Sequence, residues 1–177
     1  MIGAATTFQD PRKGGDLLIQ ALSLLPDSLK ANIVLLTLGT GGEAMAENGG
    51  IETLNLGYVG GDRLKSIAYS AADLCIFPTR ADNLPLVLQE SMACGTPMVS
   101  FKVGGVPDLV RPDVTGYLAQ PKDAQDFCNG IIQLLEDNAL REQMSQNCRT
   151  IACEEYSIEL QAQRYISLYK QVLGITE

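Results

Sequence analysis

Two carboxylates, Asp82 and Glu90, stand eight positions apart in the middle of the chain. Asp82 lies in a polar loop after the apolar run Leu74–Phe77, and Glu90 lies about two turns into the helix predicted to follow. At a rise of about 1.5 Å per residue, the two side chains lie roughly 10 Å apart along the helix. They are too far apart to share a proton, and their spacing suits contacts with two ends of one extended ligand.

Glu90 is the only charged residue between Leu84 and Phe101. A carboxylate in so apolar a segment is costly unless other groups donate hydrogen bonds to it. From residue type alone, two interpretations stay open. One is a solvated helix face or an internal salt bridge, and the other is contact with a bound ligand.

The segment 77–100 indicates a strand end, a loop, a helix and a second strand. Asn83 is the expected N-cap, ahead of a proline tolerated in the first helical turn, and Gly95 and Pro97 end the helix. Ligands bind at the carboxyl ends of strands in open parallel sheets, and the N–H groups of a helix start favour an anion. The sequence therefore predicts a crevice for an anionic ligand.

Bulk properties narrow the classes of function. The chain has 177 residues, 46% hydrophobic content, and 21 acidic against 13 basic residues, for a net charge of −8. This size fits one domain with its own core, and the acidic surface argues against a nucleic-acid partner. No apolar run of 18 residues and no signal-peptide pattern is present in the sequence.

Cysteine and histidine usage narrows the chemistry further. The five cysteines are odd in number and have no C-x-x-C spacing, and the chain contains no histidine. A disulfide framework or zinc site is disfavoured, and Ser-His-Asp or Cys-His catalysis within this chain is excluded. We expect Cys75 and Cys94 to be core residues, and we expect no metal and no cofactor.

Lys13 stands just before a predicted helix at 15–25, whose apolar residues keep helical spacing. It is an ordinary surface lysine or a flexible cation for a phosphate group.

The near-continuous apolar run 31–38 predicts a strand buried on both faces. It leads into a glycine pattern, Gly39-x-Gly41-x-x-Ala44, which raises a nicotinamide-dependent oxidoreductase as an alternative, although 45–48 is too short for the expected helix.

Strands alternate with helices along the chain. The predicted strands are 2–5, 31–38, 53–56, 74–77, 98–101 and 116–119. The predicted helices are 15–25, 62–72 with Asp62 as N-cap, the central helix after Asn83, 124–136 after Asp123, 139–155 and 158–173. We expect an α/β fold, a Rossmann-like doubly wound parallel sheet with helices on both faces and a C-terminal helical segment. No linker divides the chain, so 1–177 is expected to be a single domain.

Six segments, in order and with fitting spacing, closely resemble the retaining glycosyltransferases of family 4, which belong to group 1 and have the GT-B architecture. They are Arg12-Lys13-Gly14, Leu38-Gly39-Thr40-Gly41, Leu56-Gly57-Tyr58-Val59, Asp82 to Glu90 followed by Ser91-Met92-Ala93-Cys94-Gly95-Thr96-Pro97, Gly104-Gly105-Val106-Pro107-Asp108, and Thr115-Gly116-Tyr117-Leu118. The resemblance covers nearly the whole chain, and it matches the C-terminal half of such an enzyme. In the family, that half holds the nucleotide-sugar donor.

The resemblance implies a metal-free transfer of a hexose-type sugar to a glycan or lipid-linked acceptor, and it assigns roles. Glu90 would accept hydrogen bonds from the ribose hydroxyls, and Asp82 from the transferred sugar. Lys13 and the backbone N–H groups around Leu86 and Val87 would neutralise the diphosphate. The remaining donor contacts are expected from Gly39, Tyr58, Val59 and Asn83, with the two residues at 58 and 59 near the base.

The resemblance also implies a missing N-terminal, acceptor-binding domain, and the opening Met1 suggests an excised piece. The final helix of GT-B enzymes crosses back to that domain. We expect a cytoplasmic protein, with a membrane-associated acceptor reached through the other domain at the inner face of the membrane. The isolated domain is expected to lack activity.

Two departures from the family pattern keep a non-catalytic binding or regulatory domain open as an alternative. Asp82 stands where the family commonly has Glu. Thr7 and Phe8 stand where many members have Arg, and whether Arg12 replaces that arginine stays open.

Overall fold

The strands of the chain pair into one parallel sheet in a computed structural model, which describes residues 1–5, 10–43 and 50–175. Six strands are present in these residues, and every pairing is parallel. The strands are β1 (Ile2–Ala5), β2 (Val34–Leu38), β3 (Glu52–Asn55), β4 (Leu74–Phe77), β5 (Met98–Phe101) and β6 (Gly116–Ala119). The predicted strands are therefore confirmed, although β2 begins three residues later than its apolar run.

The strand order is β3-β2-β1-β4-β5-β6. The chain builds outward from β1 through β2 to β3, returns to place β4 on the other side of β1, and builds outward again. Gly3 of β1 pairs with Leu36 of β2 on one side and with Cys75 of β4 on the other. The order reverses between β1 and β4, and a crevice for a ligand opens beyond the carboxyl ends of strands at such a point.

Helices cover both faces of this sheet. They are α1 (Gly15–Ser23), α2 (Asp27–Lys30), α3 (Asp62–Ala71), α4 (Leu86–Ala93), α5 (Val106–Leu109), α6 (Ala124–Glu136), α7 (Asn138–Glu155) and α8 (Ile158–Leu173). A 3₁₀ helix at Pro11–Lys13 precedes α1. The sequence did not reveal this turn or α2, because both are too short for a periodic pattern. Asp62 is the first residue of α3, not its N-cap, since Gly61 occupies that position with extended backbone.

Alternate residues of the strands feed two apolar cores, one on each face of the sheet. Leu74 and Ile76 point toward α1 and α6, whereas Cys75 and Phe77 point toward α3, α4, α5 and α7. All four side chains are at most 1% exposed. Cys75 is a core residue as expected, and Cys94 is half-buried. The predicted doubly wound, Rossmann-like fold is thus confirmed.

Helix α8 differs from the others because none of its residues is buried. Tyr165, Tyr169 and Val172 are 50%, 60% and 74% exposed. Apolar residues on an amphipathic helix are core positions by default, but this helix lies on the surface with these apolar side chains uncovered. None of the described helices combines the length and apolar character that a membrane crossing requires.

Candidate functional site

The loops after β1 and β4 meet at the point where the strand order reverses. Asp10 caps the 3₁₀ helix by accepting from Arg12 N at 2.9 Å, and Gly14 follows with φ of 69°. A Cβ on Gly14 would lie 1.9 Å from the carbonyl oxygen of Pro78, so a glycine is needed where the two loops touch. Arg80 N donates to Arg12 O at 2.7 Å, which joins the loops through their backbones.

An ion pair reinforces this junction. The Arg80 guanidinium donates to both carboxylate oxygens of Asp16, at 2.8 and 2.5 Å, and to the carbonyl of Pro11 at 2.6 Å. The hydrogen bonds from Arg80 hold the pKa of Asp16 below its usual range. Bidentate geometry of this kind fixes orientation as well as distance. The segment that carries Lys13 is therefore held firmly against the loop after β4, residues 78–85, which carries Asp82 and is called the acidic loop below.

Lys13 and Asp82 form the ion pair at the centre of the junction. Lys13 Nζ donates to Asp82 Oδ2 at 2.7 Å, and both side chains are partly buried, at 27% and 20% exposed. The same ammonium lies 5.3 Å from the centroid of the Phe77 ring, within range of a cation–π contact. The carboxylate and the cation predicted from the sequence thus lie together.

The Gly104-Gly105 loop packs directly against the acidic loop. Gly105 N donates to Asp82 O at 3.3 Å. Added Cβ atoms on Gly104 and Gly105 would lie 1.9 Å from the carbonyl oxygens of Asp82 and Asn83. The two glycines therefore let the backbone at Asp82 and Asn83 pack closely against this loop.

The start of α4 corrects one sequence prediction. Asn83 is not the N-cap, because Pro85 occupies that position with extended backbone and no side chain caps the helix. Proline has no N–H and a fixed φ, so it suits this position and shifts the helix start to Leu86. The C-terminal prediction is confirmed, since Gly95 has φ of 73° and its N–H donates to Met92 O.

Glu90 is held by two donors from α3. Lys65 Nζ donates to Oε1 at 2.8 Å, and the Tyr69 hydroxyl donates to Oε2 at 3.2 Å. The Glu90 side chain is 35% exposed. The internal salt bridge that the sequence left open is therefore present, and the carboxylate still reaches solvent.

The two donors have perturbed acidities of their own. Hydrogen bonds to Glu90 and then to Asp62 raise the pKa of Lys65, so its ammonium stays charged. Burial is the largest cause that raises the pKa of Tyr69, so its phenol stays protonated as a donor. Neither residue was predicted from the sequence. Helical spacing places Lys65 and Tyr69 on one face of α3, but it does not say which element that face meets.

Glu90 opens onto a cleft of about 310 Å³ that also reaches Lys13. Residues from the 3₁₀ helix, β2 and the residue after it, the loop after β3, α3, β4 and α4 form its walls. They are Lys13, Leu38, Gly39, Tyr58, Val59, Lys65, Tyr69, Phe77, Val87 and Glu90. Five predicted donor contacts besides Glu90, namely Lys13, Gly39, Tyr58, Val59 and Val87, lie in this one cleft. Leu86 is 70% exposed at the start of α4 and is not part of its walls.

A second cavity of about 440 Å³ is also lined by Lys13. Its walls are Arg12, Lys13, Arg80, Ala81, Asp82, Asn83 and Gly104. Asp82 and Asn83 thus face a different space from Glu90, and Lys13 borders both. The two cavities share the Lys13 cation, and each has one carboxylate in its walls.

The glycine pattern after β2 does not sit where a dinucleotide fingerprint sits. In that fold the fingerprint occupies the turn after the first strand, whereas Gly39 and Gly41 follow β2. Ala44 and the segment 45–48 lie outside the described residues. Gly39 N donates to Gly57 O at 2.7 Å, which positions the β2 loop beside Tyr58.

The sequence raised two further points about this site, the missing arginine and metal binding. Thr7 and Phe8, the positions of the missing arginine, lie outside the described residues. The Arg12 guanidinium is 74% exposed and donates to Asp10, at 2.7 Å for its shortest bond. In the described part of the chain, no group of three or more Cys, Asp or Glu side chains is arranged to hold a metal ion.

The family of this chain follows from its similarity to known proteins. The sequence profile of the family "Glycosyl transferases group 1" matches residues 9–151. The chain belongs to the group 1 glycosyl transferase family. The match includes every residue that lines the two cavities.

Relatives of this group 1 glycosyl transferase chain agree. An uncharacterized glycosyltransferase of Methanocaldococcus jannaschii is 30% identical over 166 residues, covering 90% of this chain and 42% of that protein. Sucrose-phosphate synthase from Thermosynechococcus elongatus superposes with a TM-score of 0.83 at 28% identity, covering 99% and 46%. Anabaena HepE, crystallised with UDP, shares the fold with a TM-score of 0.81 at 23% identity, covering 96% and 48%. The chain therefore spans less than half the length of these proteins.

Proposed function

We propose that this chain is the donor-binding domain of a retaining glycosyltransferase that moves a hexose-type sugar from a nucleoside diphosphate to a glycan or lipid-linked acceptor. One observation carries the proposal: Lys13 lines two cavities, of which the first is also lined by Glu90 and the second by Asp82. A sugar nucleotide has the same order of parts, with a nucleoside, a diphosphate and a sugar.

Each part of the donor has a matching part of the site. The nucleoside lies in the 310 Å³ cleft, with its base against Tyr58 and Val59 and its ribose hydroxyls donating to Glu90. The diphosphate lies at Lys13 and at the uncapped start of α4, where the N–H groups of Leu86 and Val87 favour an anion. The sugar extends toward Asp82 and Asn83.

The chemistry assigned to these residues is electrostatic. When the bond between the sugar C1 and the phosphate oxygen breaks, the electron pair leaves with the nucleoside diphosphate. Lys13 and the helix N–H groups stabilise that negative charge, as fixed dipoles and cations do in other transferases. No step requires a metal ion, a further cofactor or a histidine.

The acceptor is assigned to a second, N-terminal domain, with 1–177 as the single donor domain of a two-domain enzyme. Support comes from the share of its relatives that the chain covers and from the uncovered apolar side chains of α8. Through that domain the enzyme reaches an acceptor on the cytoplasmic face of a membrane.

The test is calorimetric titration of the chain with UDP, GDP and ADP in the presence of EDTA, followed by the monophosphate and nucleoside of the tightest binder. We expect micromolar to millimolar affinity for at least one diphosphate, with diphosphate above monophosphate above nucleoside. Absence of binding by all three diphosphates would refute the proposal. Binding that EDTA abolishes would refute its metal-free form.

A further inference from the structure

Lys65 and Tyr69 lie four residues apart on one face of α3 and hold the two oxygens of a carboxylate on α4. Lys65 contacts Glu90 Oε1 and Tyr69 contacts Glu90 Oε2, at 2.8 and 3.2 Å. Residues at this spacing lie side by side on a helix. Each oxygen of Glu90 therefore has its own donor, and both donors come from one rigid element.

Lys65 and Tyr69 also make contacts that do not involve Glu90. Lys65 Nζ also lies 3.1 Å from Asp62 Oδ1, one turn earlier in α3. Tyr69 is 2% exposed, and its backbone carbonyl accepts from the Thr96 hydroxyl at 2.7 Å. Each donor residue therefore has a contact besides the one with Glu90.

The geometry leaves capacity on Glu90 for a ligand. Each carboxylate oxygen has two lone-pair sites, and Lys65 and Tyr69 use one on each oxygen. A vicinal pair of hydroxyls, such as the 2′ and 3′ hydroxyls of ribose, can donate to the remaining two together. A lone hydroxyl satisfies one of them.

We infer that Lys65 and Tyr69 are positioning residues that orient Glu90 for a vicinal diol, so that the site selects ribonucleotides over 2′-deoxyribonucleotides. This inference rests on the proposed function, which places the ribose at Glu90. Without Lys65, the flexible glutamate side chain loses the contact that fixes its rotamer, and the second hydroxyl loses its aligned acceptor. Selectivity then falls more than overall affinity.

The experiment measures the ratio of dissociation constants for the 2′-deoxy and ribo forms of whichever of UDP, GDP or ADP binds the wild-type chain most tightly. We expect a wild-type ratio of about 10 or more, the scale of one hydrogen bond to a charged group. Lys65→Met and Tyr69→Phe should each lower the ratio to about 1–3, and Lys65→Arg should restore most of it. Thermal unfolding of each variant confirms that it folds.

The matched control is Lys30→Met. Lys30 is also a partly buried, ion-paired lysine, 3.8 Å from Asp27. It is the last residue of α2, which leads into the amino end of β2, whereas the proposed site lies at the carboxyl ends of the strands. Removal of the Lys30 charge should leave the ratio unchanged.

The outcomes separate the inference from the function on which it rests. If no diphosphate binds the wild-type chain, the proposed function and the inference both fail. If a diphosphate binds and folded Lys65→Met keeps the wild-type ratio, the inference alone fails. If Lys65→Met weakens the ribo and deoxy forms equally, Lys65 is a general electrostatic contact and the positioning role is overturned.

Discussion

Lys13 and Asp82 are separated by 69 positions in the sequence, and their charged atoms lie 2.7 Å apart in the structure. The contact exists because β1 and β4 are neighbours, so the loops that follow them share one edge of the sheet. The proposed diphosphate site thus contains a cation that already has a carboxylate partner. Binding a phosphate there means that Lys13 shares its three N–H donors between Asp82 and the ligand.

Replacing Lys13 tests its role toward the diphosphate. Lys13→Met should narrow the difference in affinity between the diphosphate and the nucleoside by about tenfold, because the point charge is gone and only the N–H groups at the start of α4 still favour the anion. Calorimetry of both ligands measures the difference. The double variant Lys13→Met, Asp82→Asn removes the unpaired carboxylate and should show the same narrowing. An undiminished diphosphate preference in both variants would assign the phosphate contact elsewhere.

Neutralising Glu90 tests the ribose contact. Glu90→Gln should weaken binding of the nucleoside diphosphate by about 1–3 kcal/mol, since a charged acceptor becomes a neutral one. The fold should persist, and Glu154→Gln on the exposed face of α7 serves as the matched control. Unchanged affinity in folded Glu90→Gln would leave Glu90 as a salt-bridge residue only.

Gly61 and Gly105 are both helix N-caps, and replacing each by Ser distinguishes the effect of capping on stability from the effect of close packing. Gly105→Ser should destabilise the chain by about 1–3 kcal/mol, because its Cβ would lie 1.9 Å from the carbonyl oxygen of Asn83. Gly61→Ser places the same side chain at the N-cap of α3, where no atom lies within 4 Å of the added Cβ, and it should not destabilise. Chemical denaturation measures both. Equal effects at the two sites would mean that the acidic loop does not depend on the contact with Gly105.

The ion pair between Asp16 and Arg80 predicts a pH dependence. Its hydrogen bonds hold the pKa of Asp16 below the ordinary value of 3.8. The stabilisation is therefore fully present above about pH 4 and is lost as the pH falls through the lowered folded value. Because Asp16 is 59% exposed, we expect Asp16→Asn to cost only about 0.5 kcal/mol at pH 7. The difference between wild type and variant in urea denaturation should shrink toward zero near pH 2, and a difference that grows in acid would contradict this sign.

The chain alone should bind a donor without transferring its sugar. Catalysis by positioning needs an acceptor hydroxyl held at the sugar in a closed, water-poor site, and that ordering contributes several kcal/mol. Incubation of the 177-residue chain with radiolabelled sugar nucleotides and candidate acceptors, beside a full-length relative, measures transfer. Turnover by the chain equal to that of the full-length enzyme would show that this domain holds the whole active site.

Much of the fold was predictable because its signals are local. Most strands are apolar runs closed by Gly, Pro or a polar loop, whereas β3 is mainly polar. Helix α6 lies where its apolar residues and the Asp123 cap predicted it. The errors lie at short features. The 3₁₀ helix, α2 and the cap of α4 depend on three or four residues, where one proline outweighs the intrinsic preference of Asn83 for the N-cap.

The site was predictable only for residues that belong to a motif. Lys13, Asp82 and Glu90 stand in patterned segments, and the structure places them around two cavities that share Lys13. Lys65 and Tyr69 carry no such pattern, because their importance comes from the packing of α3 against α4. A lysine and a tyrosine on an amphipathic helix are ordinary until that packing is known.

The central claim is that one donor molecule spans the two cavities that share Lys13. The most direct test is a crystal structure of the chain with the nucleoside diphosphate sugar that it binds best. We predict that the ribose hydroxyls lie within hydrogen-bond distance of Glu90, the diphosphate at Lys13 and the start of α4, and the sugar beside Asp82. A donor bound with its ribose away from Glu90, or with its phosphates away from Lys13, would contradict the account.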